Sequence, residues 1–299
     1  MRKIVYPRAG GVETIEIMEE EDPVPNSDQV CIRIHRAGVN FAELMMRQGL
    51  YGSSPDFPFT PGYEASGVVI GVGDRVDTLK EGDRVLAMTG FGGYSEKVCL
   101  DARRVIPIPD SVSFDQAAAI PVTYGTAFHM LVHLGRINEG DSVLIHHAAG
   151  GGGTAVAQIC ESFGASLVVG TASTPKREFV ESMGMVFVDR EKEDFEEVCK
   201  ELTDGRGVHH AIDPVGGSHL LRSYKSLRKG GKLYYFGASA VVKGEKRSRL
   251  SELRMWWGMP RFDPIRLMTS NKAVFGVHMG LLEDESVFKG HLASLSEML

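Results

Sequence analysis

The chain has 299 residues, enough for one large or two ordinary domains, and its 43% hydrophobic and 24% charged residues are those of a soluble globular protein. A net charge of −6 gives no footprint of a nucleic-acid binder, and no apolar run approaches the roughly 18–20 residues that span a bilayer. The start lacks the apolar core of a signal peptide, and the four cysteines fit no zinc-site spacing, so free thiols in a cytoplasmic setting are expected.

The first third reads as short strands over residues 2–6, 29–36, 65–71, 82–87 and 94–100. In the second of these Val30, Ile32 and Ile34 alternate onto one face, and Gly and Pro punctuate the runs at Pro23, Gly49, Pro58, Pro61 and Gly62. This texture predicts a small β-rich, barrel-like domain. Residues 40–47 predict a short helix. Near Pro107 the pattern changes: Ser113 caps a helix over residues 113–120, and residues 126–134 form a second helical stretch.

The stretch over residues 142–171 organises the rest. Val143, Leu144 and Ile145 suit a buried strand; Gly150, Gly151, Gly152 and Gly153 make a turn; an apolar helix follows, closed by Gly164; Leu167 starts a second strand. This is the βαβ unit that binds dinucleotides, with Ala148 in place of the first glycine of G-x-G-x-x-G. Gly150 is expected to take a backbone angle that a β-carbon resists. Side chains at 151 or 152 would block a pyrophosphate, and Gly153 lets the helix pack close to the strand. The helix N-terminus offers free N–H groups to phosphate. A flexible glycine loop is the alternative, but the rhythm continues. Helices over residues 175–183, 195–202 and 220–227 alternate with strands over 185–188, 208–212, 231–236 and 273–278. Asp213 ends one strand and Gly237 another. Such alternation predicts a doubly wound parallel sheet. A basic segment at residues 243–249 and the pair Trp256 and Trp257 interrupt it, and the end of the chain reads as helical.

Several motifs together resemble the medium-chain dehydrogenase/reductase superfamily, on its zinc-independent quinone-oxidoreductase branch. They are Ala37-Gly38-Val39-Asn40-Phe41, Gly49-Leu50-Tyr51, Pro61-Gly62-Tyr63-Glu64-Ala65-Ser66-Gly67, Gly82-Asp83-Arg84-Val85, Ala117-Ala118-Ala119 before Thr126-Ala127, and the glycine turn. Residues 170–174, the tryptophan pair and Asp263-Pro264-Ile265 look most like the vesicle amine transport protein group. The resemblance implies an α/β fold: a GroES-like substrate domain over residues 1–116, to which 282–299 return, and a Rossmann domain over 117–281. The active site is implied in the cleft between them. Relatives continue beyond a point like Leu299 with the last strands of the substrate domain, so an exposed sheet edge is expected here.

Zinc members of the superfamily carry Cys where this chain has Asn40 and His where it has Tyr63, and neither replacement is a good zinc ligand. No metal is therefore expected. A nicotinamide cofactor brings the hydride, and a quinone or α,β-unsaturated carbonyl accepts it with a hydrogen-bond donor or proton at the oxyanion. The resemblance puts a proton-donating tyrosine at Tyr51, with an ordinary loop aromatic as the alternative. Asn40 either hydrogen-bonds the substrate carbonyl or caps the helix at Phe41. Tyr63 is expected to fill the space of the lost ligand. The implied cofactor contacts are Thr126, Gly150, Gly151, Gly152, Gly153, Thr171, Ser173, Lys176, Asp213, Gly237, Phe275 and Gly276; for Asp213 a turn-capping role is the alternative. The pair Trp256 and Trp257 is expected to be buried in the core or at an interface, the alternative being a cover over the substrate mouth.

The cofactor expected is NADPH. No acidic residue lies between Glu161 and Glu178 to bind ribose hydroxyls, whereas Thr171, Ser173 and Lys176 suit a 2′-phosphate. A family tyrosine at this phosphate is replaced near Asp189. Two function classes stand. One is an NADPH-dependent reductase of a quinone or enone, expected as a homodimer. The other is a cofactor-binding module that acts through a partner or a membrane surface, with the basic segment as its lipid contact.

Overall fold

The computed structural model describes residues 1–242, 244, 249–282 and 285–297. The chain divides into two compact units, one built principally from Met1–Gly125 and Met279–Leu299, the other from Thr126–Lys243 and Ser248–His278.

In the first unit, β1 (Arg2–Val5) pairs antiparallel with β2 (Glu16–Glu19), a strand too polar and exposed to stand out in the sequence. Then come β3 (Gln29–Ala37), α1 (Phe41–Arg47), β4 (Glu64–Val72), β5 (Arg84–Met88), β6 (Lys97–Asp101) and β7 (Val105–Pro107). The last five strands form one antiparallel sheet in the order β6-β3-β4-β5-β7. The alternation of β3 places Val30 and Ile32 fully inside, against Val69, Val85 and Leu100. All four cysteines are free, and Cys31 and Cys99, distant in sequence, are register partners across β3 and β6.

A helical run links the chain onward. It is α2 (Phe114–Ala119), a wide π turn (Ile120–Tyr124), α3 (Gly125–Phe128) and a second π turn (His129–Leu134). Ser113 caps it as expected, its Oγ accepting from Gln116 N at 3.2 Å. Pro121 has no N–H to give, which suits the first wide turn. The division between units falls inside this run, at Gly125 and Thr126, rather than at residues 116 and 117.

The second unit holds β8 (Ser142–His146), α4 (Gly151–Ser162), β9 (Leu167–Ala172), α5 (Arg177–Ser182), β10 (Val186–Asp189), α6 (Phe195–Glu201), β11 (Val208–Asp213), α7 (His219–Lys225), β12 (Leu227–Tyr235), α8 (Arg249–Gly258), α9 (Pro264–Ser270) and β13 (Ala273–Gly276). All six strands are parallel, in the order β10-β9-β8-β11-β12-β13. The order reverses beside β8, so the carboxyl ends of β8 and β11 flank the crevice where such sheets bind ligands. Leu144, Val169, Val188, Ala211 and Leu233 form the sheet core. In the first unit, α10 (Glu285–Glu297) closes the described chain.

Candidate active site

In the first unit, Gly62 takes φ +103, and a β-carbon there would lie 2.6 Å from Tyr94 N. Only glycine makes this turn without strain, and it leads through Tyr63 into Glu64, the first residue of β4. Asn40 caps α1, as one of its two readings held: its N–H donates to Glu43 Oε2 at 2.9 Å. Its side chain has a further partner that the sequence did not suggest. Asn40 Nδ2 donates to Glu64 Oε1 at 2.8 Å, and the other carboxylate oxygen accepts Val122 N at 2.7 Å. Glu43 Oε1 accepts Tyr63 N at 3.1 Å. Two carboxylates, Glu43 at 0% and Glu64 at 1% exposure, are thus buried around one asparagine. Burial pushes the Glu64 carboxyl up to about 7, against its bonds from Asn40 and Val122 and with the repulsion of Glu43. Burial also raises Glu43, opposed by the N–H groups that it accepts.

Tyr63 is buried in an aromatic cluster with Tyr6, Met46 and Phe59, bordered by Tyr51 and Phe91. Its ring centroid lies 5.3 Å from that of Phe91, and its hydroxyl is hydrogen-bonded to Tyr51. Tyr51 opens a turn in which Ser54 N donates to its carbonyl at 3.2 Å, and its hydroxyl also meets Ser53. Asn40 and Tyr51 are therefore joined through Glu43 and Tyr63. At the two positions where zinc ligands would stand, Asn40 turns a donor toward Glu64 and Tyr63 a phenol toward Tyr51. This donor set does not fit a zinc ion.

In the second unit, Gly150 precedes α4, and Gly151, Gly152 and Gly153 form its first turn. A β-carbon on Gly153 would lie 2.1 Å from Ala148 O, so the helix packs directly on the backbone that leaves β8. On Gly152 it would meet nothing within 4 Å, which leaves open space over the helix N-terminus. Gly150 itself is extended, at φ −95 and ψ 173, so the expected backbone reason for that glycine is corrected. The left-handed residue is His147, at φ 58.

The parallel topology gathers the turn, Ser173, Lys176, Asp213, Gly237 and Gly276 at the carboxyl edge of the sheet. Ser173 and Lys176 bracket the turn after β9, with Lys176 N donating to Ser173 O at 2.9 Å. Thr171 is not presented for contact. It is buried, and its Oγ1 lies 2.9 Å from His146 Nδ1, because strand alternation turns residue 171 inward. Asp213 is wholly buried. Its Oδ1 accepts Val215 N at 2.7 Å and Gly216 N at 3.0 Å, and its Oδ2 meets His219 Nδ1 at 3.0 Å and Ser223 Oγ at 2.6 Å. This is the turn-capping alternative. Burial works against its charge, but the bonds from His219 and Ser223 hold the carboxyl far below its ordinary range. Phe275 stacks on Tyr234 at 5.6 Å, and Thr126 lies in α3, away from the strand ends in the chain.

His146, Asp213 and His219 have the composition of a metal site, with ligand atoms within 4.8 Å of one another. His146 Nε2 is 3.0 Å from Ser223 Oγ, and burial drives its imidazole down to about 3. With both ring nitrogens of His146 and both oxygens of Asp213 engaged, the group is a hydrogen-bond strut. Asp189, where the family tyrosine is replaced, ends β10 with Oδ1 accepting Glu191 N at 2.9 Å and Oδ2 accepting Thr174 Oγ1. Lys192 Nζ donates to Thr174 Oγ1 at 3.0 Å.

Trp256 and Trp257 are 70% and 86% exposed, which corrects their expected burial in the core. The basic segment at residues 243–249 lies outside the described residues except for Gly244 and Arg249. Among the described residues, no helix is long and apolar enough to cross a membrane.

Comparison with known proteins agrees with this anatomy. The family described as "Alcohol dehydrogenase GroES-like domain" matches residues 26–110, and "Zinc-binding dehydrogenase" matches residues 151–297. The chain is 36% identical to the human "Synaptic vesicle membrane protein VAT-1 homolog" over 288 residues, covering 95% of this chain and 73% of that protein. It is 32% identical to the mouse "Quinone oxidoreductase", covering 95% of this chain and 85% of that one. Its fold is similar to the crystal structure of Escherichia coli quinone oxidoreductase complexed with NADPH, with a TM-score of 0.85 and 26% identity, covering 100% of this chain and 88% of that chain.

Proposed function

This chain belongs to the medium-chain dehydrogenase/reductase superfamily, and we propose that within it the protein is an NADPH-dependent reductase of quinones or α,β-unsaturated carbonyls that works without zinc. The observation that carries this reading is the glycine turn at the carboxyl end of β8, where Gly153 lets the helix pack on the backbone that leaves β8 and Gly152 leaves space for a pyrophosphate. The residues present fit a dinucleotide: the turn would hold its phosphates, and Ser173 and Lys176 its 2′-phosphate. Bound there, the nicotinamide supplies a hydride. The chain's own groups handle the oxyanion. Asn40, whose Nδ2 donates to Glu64, would orient the substrate carbonyl. Tyr51 delivers the proton. Neither step needs a metal, since the substrates are already electrophilic.

The test is NADPH oxidation with a panel of quinones and enones, with and without a chelator. Turnover that survives chelation is expected. If nucleotide binds but no member of the panel is reduced, the reading is wrong.

The exposed pair Trp256 and Trp257 favours a second reading, a cofactor-binding module that docks on a partner or lipid surface. Vesicle flotation by an inactive but nucleotide-binding protein would support it.

A further inference from the structure

Cys31 and Cys99 stand opposite each other across β3 and β6, and the ladder around them tells what kind of pair they are. One step beyond its last register pairs, the Ala102 N–H donates to Asp28 O at 3.1 Å and the Ile34 N–H donates to Glu96 O at 2.9 Å. In an antiparallel ladder, directly opposed residues alternate between hydrogen-bonded and non-hydrogen-bonded pairs. Both of these bonds lie an odd number of steps from Cys31, so Cys31 and Cys99 are a non-hydrogen-bonded pair. Such a pair holds its Cα atoms about 4.5 Å apart with the side chains drawn together, inside the span of about 4.4–6.8 Å that a disulfide bridges.

The surroundings leave room for that bond. Val30, Ile32 and Leu100 belong to the core, so by alternation the two cysteines lie on the opposite face of the sheet. Cys31 is buried there, and its Sγ gives only a long 3.7 Å bond to Pro23 O. Its register partner on β4 is Gly71, which brings no side chain against it. Cys99 is half-buried, so a small solute meets it first. Burial pushes the Cys99 thiol up, and the neighbouring Cys31 acts in the same direction. The reactive thiolate is therefore scarce at neutral pH, and reaction quickens as pH rises.

We propose that Cys31 and Cys99 are a reversible redox pair, which a peroxide closes into a cross-strand disulfide that fastens the edge strand β6 to β3, and which small thiols reopen. In the first step the Cys99 sulfur attacks the peroxide, the O–O bond breaks, and Cys99 becomes a sulfenic acid with release of water. The Cys31 sulfur then attacks the Cys99 sulfur, the S–S bond forms, the S–O bond breaks, and a second water leaves. The two thiols lose two electrons and the peroxide gains them. Reopening consumes two small thiols, which leave as their own disulfide.

The experiment treats the reduced full chain with hydrogen peroxide at mildly alkaline pH, blocks the remaining thiols with iodoacetamide, and maps the peptides without reduction. It needs neither cofactor nor substrate. One linked peptide joining Cys31 to Cys99 is expected, with four free thiols falling to two and all four returning on treatment with dithiothreitol. Cys160 and Cys199, both 0% exposed, should stay free and serve as the internal reference. Cys99→Ser should leave Cys31 a free thiol. The amides of Val98 and Leu100 face β3 in the hydrogen-bonded pairs, so their hydrogen exchange should slow about tenfold or more in the oxidised chain. The bond closes a long loop, so it should also shift the unfolding equilibrium by about thirtyfold or more, read as a urea midpoint that dithiothreitol lowers again.

Peroxide that takes Cys99 to a sulfinic or sulfonic acid while Cys31 stays free would overturn the proposal. So would a disulfide between two chains through Cys99, since either result puts Cys31 out of its reach. A linked pair that leaves the exchange of Val98 and Leu100 unchanged would reject the fastening of β6.

Discussion

Adding a single methyl group at Gly153 or at its neighbour Gly152 should have opposite effects. At Gly153 the new β-carbon would fall 2.1 Å from Ala148 O and 2.4 Å from Ala148 C, both backbone atoms of the strand exit. No side chain can swing aside, so α4 must move away from β8. Overpacking of this kind costs about 1–3 kcal/mol, and a contact this short against backbone belongs at the upper end. Replacing a helical glycine by alanine returns at most about 1 kcal/mol. The net loss for Gly153→Ala is then about 2 kcal/mol, roughly a thirtyfold change in the unfolding equilibrium. At Gly152 the β-carbon would meet nothing within 4 Å, so Gly152→Ala should match or slightly exceed the parent in stability. It should nevertheless lose NADPH affinity by about tenfold or more, because the methyl group takes the place of a pyrophosphate oxygen. Urea denaturation of the nucleotide-free protein reads the first quantity and fluorescence titration with NADPH the second. Gly153→Ala as stable as the parent would refute the close-packing argument. Unchanged NADPH affinity in Gly152→Ala would refute the phosphate cradle.

Lys176→Ala should weaken NADPH by about 1.5–3 kcal/mol, roughly tenfold to a hundredfold, and leave NADH unchanged; an equal loss for both, read by paired titrations, counts against a 2′-phosphate contact. Glu64 should make stability fall with pH: its carboxyl is raised to about 7 from an ordinary 4.5, so the folded chain keeps a proton that the unfolded chain has lost. Its contribution is complete below about pH 4.5 and disappears as pH rises through about 7, a loss of about 3 kcal/mol. Urea midpoints across this range should flatten in Glu64→Gln, and an unchanged slope would contradict the assignment. Strand β13 is a sheet edge, so a homodimer paired across it is expected by light scattering; a monomer at micromolar concentration speaks against it. Elemental analysis should find no stoichiometric zinc, given Asn40 and Tyr63 at the ligand positions, and one zinc per chain would reverse that conclusion.

The parallel sheet was legible because its signal is local. Val143, Leu144 and Ile145 announce a buried strand, four glycines announce a turn that little else can make, and the alternation repeats often enough to exclude coincidence. The role of Gly153 followed from the same motif. The site frame was less legible because it depends on contacts across long sequence intervals. Nothing near Glu64 says that its oxygens receive Asn40, residues earlier, and Val122, in a π turn far downstream. The β-strand period says which face Thr171 takes only when neighbouring strands are known, and β9 has β8 on one side and β10 on the other. Asp213 offered two readings because a strand-end aspartate can cap a turn or meet a ligand, and His219 and Ser223, which decide the matter, come from the following helix. Trp256 and Trp257 misled because large aromatics are usually buried, whereas α8 carries them outward.

The central claim is hydride transfer from a bound nicotinamide to an electrophilic substrate. It is tested most directly by running the reaction on an enone with NADPH carrying deuterium at the transferred position, in ordinary water and excess chelator, and weighing the product by mass spectrometry. The account predicts one deuterium at the β-carbon of each product molecule, with the α-hydrogen drawn from the protein and water. Product without deuterium, or NADPH bound and never consumed, would contradict it.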